Sequence, residues 1–285
     1  DEPVYAGVDG SAEYCEDDSA LSSIDLFFII TDEEPGGSWA DTDGSGVDLS
    51  DPTMVDFSSL GFGTYTFTYT VSPADANSTC PDDYSIASIT IDEALYAGED
   101  GDDRFCEGDE GKDAVNLFDL IANEDAGGIW ADTDGSGVDI SDPTMVDFTG
   151  LVAGSYTFTY TVTPGEGSEC LADSSEVEIV IDEPVYAGVD GSAEYCEDDT
   201  GLSSIDLFTI ITDEEPGGSW ADTDGSGVDL SDPTMVDFSS LGFGTYTFTY
   251  TVSPADANST CPDDYSIASI TIDEALYAGE DGEDR

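Results

Sequence analysis

Apolar and polar residues alternate strictly in Thr64-Tyr65-Thr66-Phe67-Thr68-Tyr69-Thr70-Val71. A strand sends successive side chains to opposite faces, so Tyr65, Phe67, Tyr69 and Val71 are predicted to face a core and the threonines to face out. Ser85-Ile86-Ala87-Ser88-Ile89-Thr90-Ile91 makes a second such face from Ala87, Ile89 and Ile91. The run Leu26-Phe27-Phe28-Ile29-Ile30 is apolar without alternating. Its spacing predicts a strand that turns into a short helical turn, with Phe28 towards solvent. Clusters of Gly, Pro, Asp and Ser separate these runs. Short strands punctuated in this way predict an all-β sandwich.

The pattern recurs three times. Cys15, Trp39 and Cys80 return as Cys106, Trp130 and Cys170, and again as Cys196, Trp220 and Cys261. Tandem repeats are therefore expected at 1–93, 94–183 and 184–274. The segment 275–285 matches 94–104 at all but one position, which predicts the start of a fourth. Repeats 1 and 3 are almost identical and repeat 2 is diverged, so the true period is a pair of repeats. A unit of about 90 residues suits a small domain that folds independently rather than a solenoid repeat. Trp39, Trp130 and Trp220 are expected in the cores, packed on a disulfide.

Composition narrows the function. The chain carries 67 acidic and 3 basic side chains and no His, a formal charge of −64. Its cations are Arg104, Lys112 and Arg285. A nucleic-acid binder needs Lys and Arg to displace counterions, and an anionic membrane surface makes the same demand, so both partners are excluded. No apolar run is long enough to span a bilayer. No signal peptide opens the sequence, as expected of a mature or internal fragment. Hydrophobic residues at 39% and aromatics at 11% set the chain apart from disordered acidic tails. Catalysis is not expected. There is no His for a triad, few cations exist to stabilise an oxyanion, and an active site is rarely copied along a row of similar repeats. Repeats 1 and 3 contain no Lys for isopeptide cross-links, and no Gln exists for ester cross-links.

Six cysteines leave two repeat-symmetric pairings. One joins Cys15–Cys80, Cys106–Cys170 and Cys196–Cys261 within each repeat. The other joins Cys80–Cys106 and Cys170–Cys196 across the linkers. If each domain is entered at one pole and left at the other, its last strand starts at the pole of entry, which favours the first pairing. Cys106 then lies roughly 30 Å from Cys80, one strand length further on. Zinc needs close Cys pairs and usually His, which are missing, so the cysteines point to an oxidising, extracellular compartment.

The sharpest local motif is Asp41-Thr42-Asp43-Gly44-Ser45-Gly46-Val47-Asp48, repeated at 132–139 and 222–229. Carboxylates, a hydroxyl and tight-turning glycines suit a hard cation. Asp41, Asp43, Ser45 and Asp48, with Asp132, Asp134, Ser136 and Asp139 and with Asp222, Asp224, Ser226 and Asp229, are the candidate Ca²⁺ ligands. The loop resembles the calcium loops of EF-hand, dockerin and thrombospondin type 3 modules. It lacks the third Asp and the bidentate Glu of the EF type. A solvated Asx turn is the competing reading. A second candidate calcium position is the junction from Ile91-Asp92-Glu93 to Asp103, where an ion bridging consecutive repeats would stiffen a rod. Asn77-Ser78-Thr79 and Asn258-Ser259-Thr260 fit the N-glycosylation pattern, and Asp18-Ser19-Ala20 an O-glycosylation signal.

Leu60-Gly61-Phe62-Gly63-Thr64-Tyr65-Thr66-Phe67-Thr68-Tyr69-Thr70-Val71 resembles the repeated strand of bacterial Ig-like surface proteins. Gly37-Ser38-Trp39, Cys80-Pro81-Asp82-Asp83, Leu117-Phe118-Asp119-Leu120, Ala97-Gly98-Glu99-Asp100-Gly101 and Cys106-Glu107-Gly108-Asp109 fit the same pattern. Together they resemble the tandem repeats of giant Bacteroidetes cell-surface adhesins, including the gliding-motility type. The resemblance implies Ig-like β-sandwiches in an extended rod, type IX secretion and a cell-surface location. It implies a stalk or filament shaft whose partners are its own neighbouring repeats, with other rods or surface glycans as further candidates. A glycan-binding module is the alternative, and outward threonines rather than outward aromatics favour the shaft.

Overall fold

The computed structural model describes residues 3–276. The segment 277–285, which carries most of the expected fourth repeat, lies outside them. Among the described residues, twelve strands form three four-stranded sheets. Repeat 1 contributes β1 (Gly10–Cys15), β2 (Ser38–Asp41), β3 (Gly63–Val71) and β4 (Asp83–Asp92). Repeat 2 contributes β5 (Gly101–Cys106), β6 (Ile129–Asp132), β7 (Gly154–Val162) and β8 (Asp173–Asp182). Repeat 3 contributes β9 (Gly191–Cys196), β10 (Ser219–Asp222), β11 (Gly244–Val252) and β12 (Asp264–Asp273). The sheet orders are β1-β4-β3-β2, β5-β8-β7-β6 and β9-β12-β11-β10.

The chain divides into two compact units. One comprises Asp1–Gly101, Phe118–Thr133 and Phe158–Val177; the other comprises Asp102–Leu117, Asp134–Thr157 and Glu178–Arg285.

The alternating runs form the central strands. β3 and β4 pair antiparallel from Gly63↔Ile91 to Val71↔Asp83. Phe67, Tyr69, Val71, Ala87, Ile89 and Ile91 are buried, as the period of two predicts. Between them and the opposite layer lie Leu21, Ile24, Leu26, Val55 and Phe57. That layer is mostly loop. It holds the 3-10 turns Ser19–Ser22 and Leu26–Phe28 and the isolated antiparallel bridge Ile24↔Val55. The fold is thus all-β, and in each repeat a four-stranded sheet packs on a layer whose strand pairing is reduced to isolated bridges. Phe28 is 88% exposed, as its position predicted. The outward threonines bond across strands, Thr64 to Thr90 and Thr42 to Thr68, through their hydroxyls.

Two contacts close each sandwich. The Tyr69 hydroxyl accepts from Gly37 N at 2.9 Å and donates to Glu34 O at 2.8 Å. Tyr160 and Tyr250 repeat the arrangement with Gly128 and Asp125 and with Gly218 and Glu215. Trp39 packs on Phe27 and Tyr69 at centroid distances of 5.5 and 5.2 Å, so its ring partners are aromatic. The first strand starts on Gly10 because the Ile29 carbonyl crosses there; a Cβ would lie 1.8 Å from its oxygen.

The outer strand sets up everything that follows. β1 runs parallel to β4, with Gly10 opposite Ala87 and Cys15 opposite Asp92; β9 and β12 have the same pairing. The first strand and the last strand of a repeat therefore end at the same pole.

Candidate functional site: the junctions between repeats

Cys15 sits at the distal pole of repeat 1, where the chain leaves. Cys80 precedes β4 and sits at the proximal pole. Ten residues of strand separate the two poles, roughly 30 Å. The expected bond Cys15–Cys80 is out of reach, and Cys106–Cys170 and Cys196–Cys261 fail for the same reason. Cys15 bonds Cys170 and Cys106 bonds Cys261, with Cα atoms 4.7 and 4.8 Å apart. Each bond joins the distal pole of one repeat to the proximal pole of the next, and each lies within one compact unit. The sequence expectation places the first cysteine at the pole of entry, and the structure places it at the other. A first strand parallel to the last carries it to the other end. Cys80 and Cys196 take part in neither bond.

Backbone bonds set the cysteines in place. Glu16 N donates to Asp92 O at 2.9 Å, as Glu107 N does to Asp182 O and Glu197 N to Asp273 O. Cys170 Sγ rests 3.3 Å from Glu93 O. The linker itself is pinned. Ala97 is fully buried, its N–H donates to Asp173 Oδ2 at 2.8 Å, and its carbonyl accepts from the buried Ser175 hydroxyl at 2.7 Å. Ala6 and Ala187 are held alike by Asp83 with Ser85 and by Asp264 with Ser266.

The junction of repeats 2 and 3 adds charge. Arg104 Nε donates to both oxygens of Asp182 at 3.0 Å, and its terminal nitrogen reaches Asp256 Oδ2 of the next repeat at 2.5 Å. Thr260 N also donates to Asp182 Oδ2, at 2.9 Å. Burial alone would raise the Asp182 carboxyl; the bonds from Thr260 and Arg104 outweigh it and hold the carboxyl below its ordinary value. Glu13 and Glu194 stand where repeat 2 has Arg104. Nearby, Lys112 is 1% exposed and donates from Nζ to the carbonyls of Cys106, at 3.1 Å, and Glu107. Its own carbonyl accepts from Phe148 N, as Leu21 O accepts from Phe57 N and Leu202 O from Phe238 N. A lysine thus fills a core leucine position beneath the bonded Cys106.

The acidic loops follow the sheet rather than the junction. Asp41 ends β2. Its Oδ1 accepts from Gly44 N at 2.9 Å, and its Oδ2 accepts from Ser45 Oγ at 3.1 Å and Gly46 N at 2.9 Å. Gly44 and Gly46 have φ of 75° and 86°, which is why glycine stands there. Asp43 turns the other way, accepting from Thr66 N and Thr66 Oγ1 at 2.7 Å. Asp48 accepts from Ser50 N at 2.9 Å. In repeat 3, Asp222 Oδ2 accepts from Ser226 Oγ and Gly227 N, Asp224 from Thr247 N and Asp229 from Ser231 N, while the buried Asp222 Oδ1 has no partner among the described residues. In repeat 2, Asp134 accepts from Thr157 N, Asp139 from Ser141 N and Ser136 Oγ from Val138 N, while Asp132 ends β6. Burial would raise Asp41 and Asp222, and the loop N–H bonds overcome it and lower both. The carboxylates of Asp41 and Asp43 turn onto separate donors. Among the described residues no three His, Cys, Asp or Glu side chains gather as a metal group.

No family model matches the sequence, and no curated protein is similar to it by sequence. Solved structures give distant likenesses. An I-band fragment of titin is 11% identical, with a TM-score of 0.35 over 95% of this chain and 99% of that one. The human desmocollin-1 ectodomain is 10% identical, with a TM-score of 0.32 over 95% of this chain and 61% of that one. A four-domain fragment of Drosophila N-cadherin is 14% identical, with a TM-score of 0.28 over 94% of this chain and 75% of that one. Among the described residues, no helix is long and apolar enough to cross a membrane.

Proposed function

We propose that the chain is a load-bearing shaft of an extracellular adhesin or filament, built from repeats at 1–93, 94–183 and 184–274. The observation that carries this reading is the disulfide between consecutive repeats. A bond within a domain stabilises that domain; a bond between domains transmits tension. The two bonds also interlock, since Cys106 lies inside the segment closed by Cys15–Cys170. The shortest covalent path from end to end runs along 1–15, crosses to 170, returns to 106, and crosses to 261. It uses little more than a third of the chain.

Disulfides persist in oxidising compartments, which supports an extracellular location. A cell-surface setting of the Bacteroidetes gliding-motility type is the one the sequence resemblance implies. Outward-facing threonines and pinned linkers support a spacer over a glycan-binding module. Calcium is left out of this reading because the loop carboxylates already satisfy backbone donors.

Force spectroscopy on a single chain held at both ends tests the proposal. The oxidised chain is expected to reach about 0.36 of the contour length of the reduced chain, at roughly 3.5 Å per freed residue. Equal lengths before and after reduction refute the shaft reading. A glycan array on the same chain tests the adhesive alternative, and specific binding there favours it.

A further inference from the structure

The chain makes two junction disulfides of one kind. In each, the cysteine ending a first strand meets the cysteine that precedes the last strand of the following repeat, 155 residues on. Cys196 ends β9 as Cys15 ends β1. Cys196 lies opposite Asp273 as Cys15 lies opposite Asp92. Glu197 N donates to Asp273 O at 2.9 Å, the distance from Glu16 N to Asp92 O. The surrounding sequence is identical, Glu13-Tyr14-Cys15-Glu16-Asp17-Asp18 against Glu194-Tyr195-Cys196-Glu197-Asp198-Asp199. What differs is the cover. Cys15, bonded to repeat 2, is 5% exposed, whereas Cys196 is an exposed thiol.

We propose that the distal pole of repeat 3 is a docking end for a further repeat of the repeat-2 type, bonded through Cys196. The inference rests on the shaft reading above. The occupant follows from the same structure: an identical pole at repeat 1 carries repeat 2 and bonds its Cys170. The sequence after β12 also resumes the one after β4, since 275–285 repeats 94–104 with Glu283 in place of Asp102. Completing that repeat with residues 105–183 after Arg285 places a cysteine 155 residues beyond Cys196, the separation of both existing bonds.

The bond needs an oxidant, and a small-molecule disulfide such as oxidised glutathione supplies it. The Cys196 thiolate attacks the glutathione disulfide and releases one glutathione thiolate. The incoming cysteine thiolate then attacks Cys196 sulfur in the mixed disulfide and releases the second. The two cysteines lose two electrons and two protons, and one glutathione disulfide becomes two thiols.

The test appends residues 105–183 to Arg285, refolds the chain in a glutathione redox buffer and maps its disulfides without reduction. The expected map holds Cys15–Cys170, Cys106–Cys261 and a third bond from Cys196 to the appended counterpart of Cys170. An alkylated Cys196, or a Cys196 dimer between chains, beside two intact existing bonds overturns the proposal. Loss of Cys15–Cys170 and Cys106–Cys261 overturns the shaft reading instead. A second measurement needs no added repeat. In the unextended Cys170→Ser chain, Cys15 keeps the cover of repeat 2 and is expected to alkylate at least about tenfold more slowly than the open Cys196. A Cys15 that alkylates as fast as Cys196 shows that repeat 2 does not seat on that pole and removes the basis of the proposal.

Discussion

Cys15 lies opposite Asp92 in the parallel pair of β1 and β4. That register decides which cysteine it meets. Asp92 is the last residue of its repeat's sheet, so whatever stands beside it faces the next repeat. Cys170, which precedes the first residue of β8, is the one within reach.

The two kinds of cysteine are therefore expected to respond differently to mutation. Closing a segment of 155 residues restricts the unfolded chain by about 5 kcal/mol in the loop-entropy account. Cys15→Ser is expected to lose a stabilisation of that order and to make Cys170 open to alkylation. Cys196→Ser, which breaks no bond in this chain, is expected to leave the calorimetric transition unchanged. Equal effects of the two substitutions restore the pairing within repeats.

Arg104 is expected to tighten the junction of repeats 2 and 3 in a salt- and acid-sensitive way. Arg104→Glu places a carboxylate against Asp182 and Asp256, and faster amide exchange at Thr260 is the expected readout. The Asp182 carboxyl is held below its ordinary value in the folded chain. Its contribution is present above the unfolded value of about 3.9 and is lost as pH falls through the folded value. Thr260 protection is therefore expected to decay below about pH 4 in the native chain and to lose that step in Asp182→Asn.

Much of the core was legible in the sequence. Phe67, Tyr69, Ile89 and Ile91 are where a period of two puts them, and Phe28 is outside because Asp119 and Thr209 share its position. The junctions were not legible. Alternation says which face a residue takes, and says nothing about whether an outer strand runs parallel or antiparallel to its neighbour. That single choice moves Cys15 by a strand length. The acidic loop was ambiguous for another reason. Asp and Gly at these spacings serve a metal and an Asx turn equally, and the choice depends on whether Asp43 turns to Asp41 or to Thr66. A usable signal did exist for Lys112 and Arg104. Aligning the repeats sets Lys112 against Leu21 and Leu202, and Arg104 against Glu13 and Glu194, marking both as special to repeat 2.

The loop carboxylates are hydrogen-bonded without a metal. Asp41 and Asp43 already accept five hydrogen bonds between them. Millimolar Ca²⁺ and EGTA are expected to give superimposable melting curves. Asp41→Ala is expected to cost about 1 kcal/mol or more by stripping the Gly44 and Gly46 N–H groups of their acceptor. A clear rise in melting temperature with Ca²⁺, abolished by Asp41→Ala, reinstates the metal.

Lys112 gives the sharpest contrast between size and charge. It occupies the place of Leu21 and Leu202, and its ammonium reaches two carbonyls beside a bonded cysteine. Burying an ammonium costs desolvation that its hydrogen bonds offset only in part, so exchanging it for a packed apolar side chain is often neutral or stabilising. Lys112→Leu is thus expected to hold or raise the melting temperature, since the two sister repeats already tolerate leucine there. Lys112→Glu sets a carboxylate against the Cys106 and Glu107 carbonyl oxygens without a donor, and is expected to cost about 3 kcal/mol or more. Lys112→Ala lies between them, losing the hydrogen bonds and leaving a cavity of several methylenes. Thermal unfolding of the three variants orders them as Leu, Ala, Glu from most to least stable. A Leu variant less stable than the Ala variant shows that the ammonium, rather than the space it fills, holds the pole of repeat 2 together.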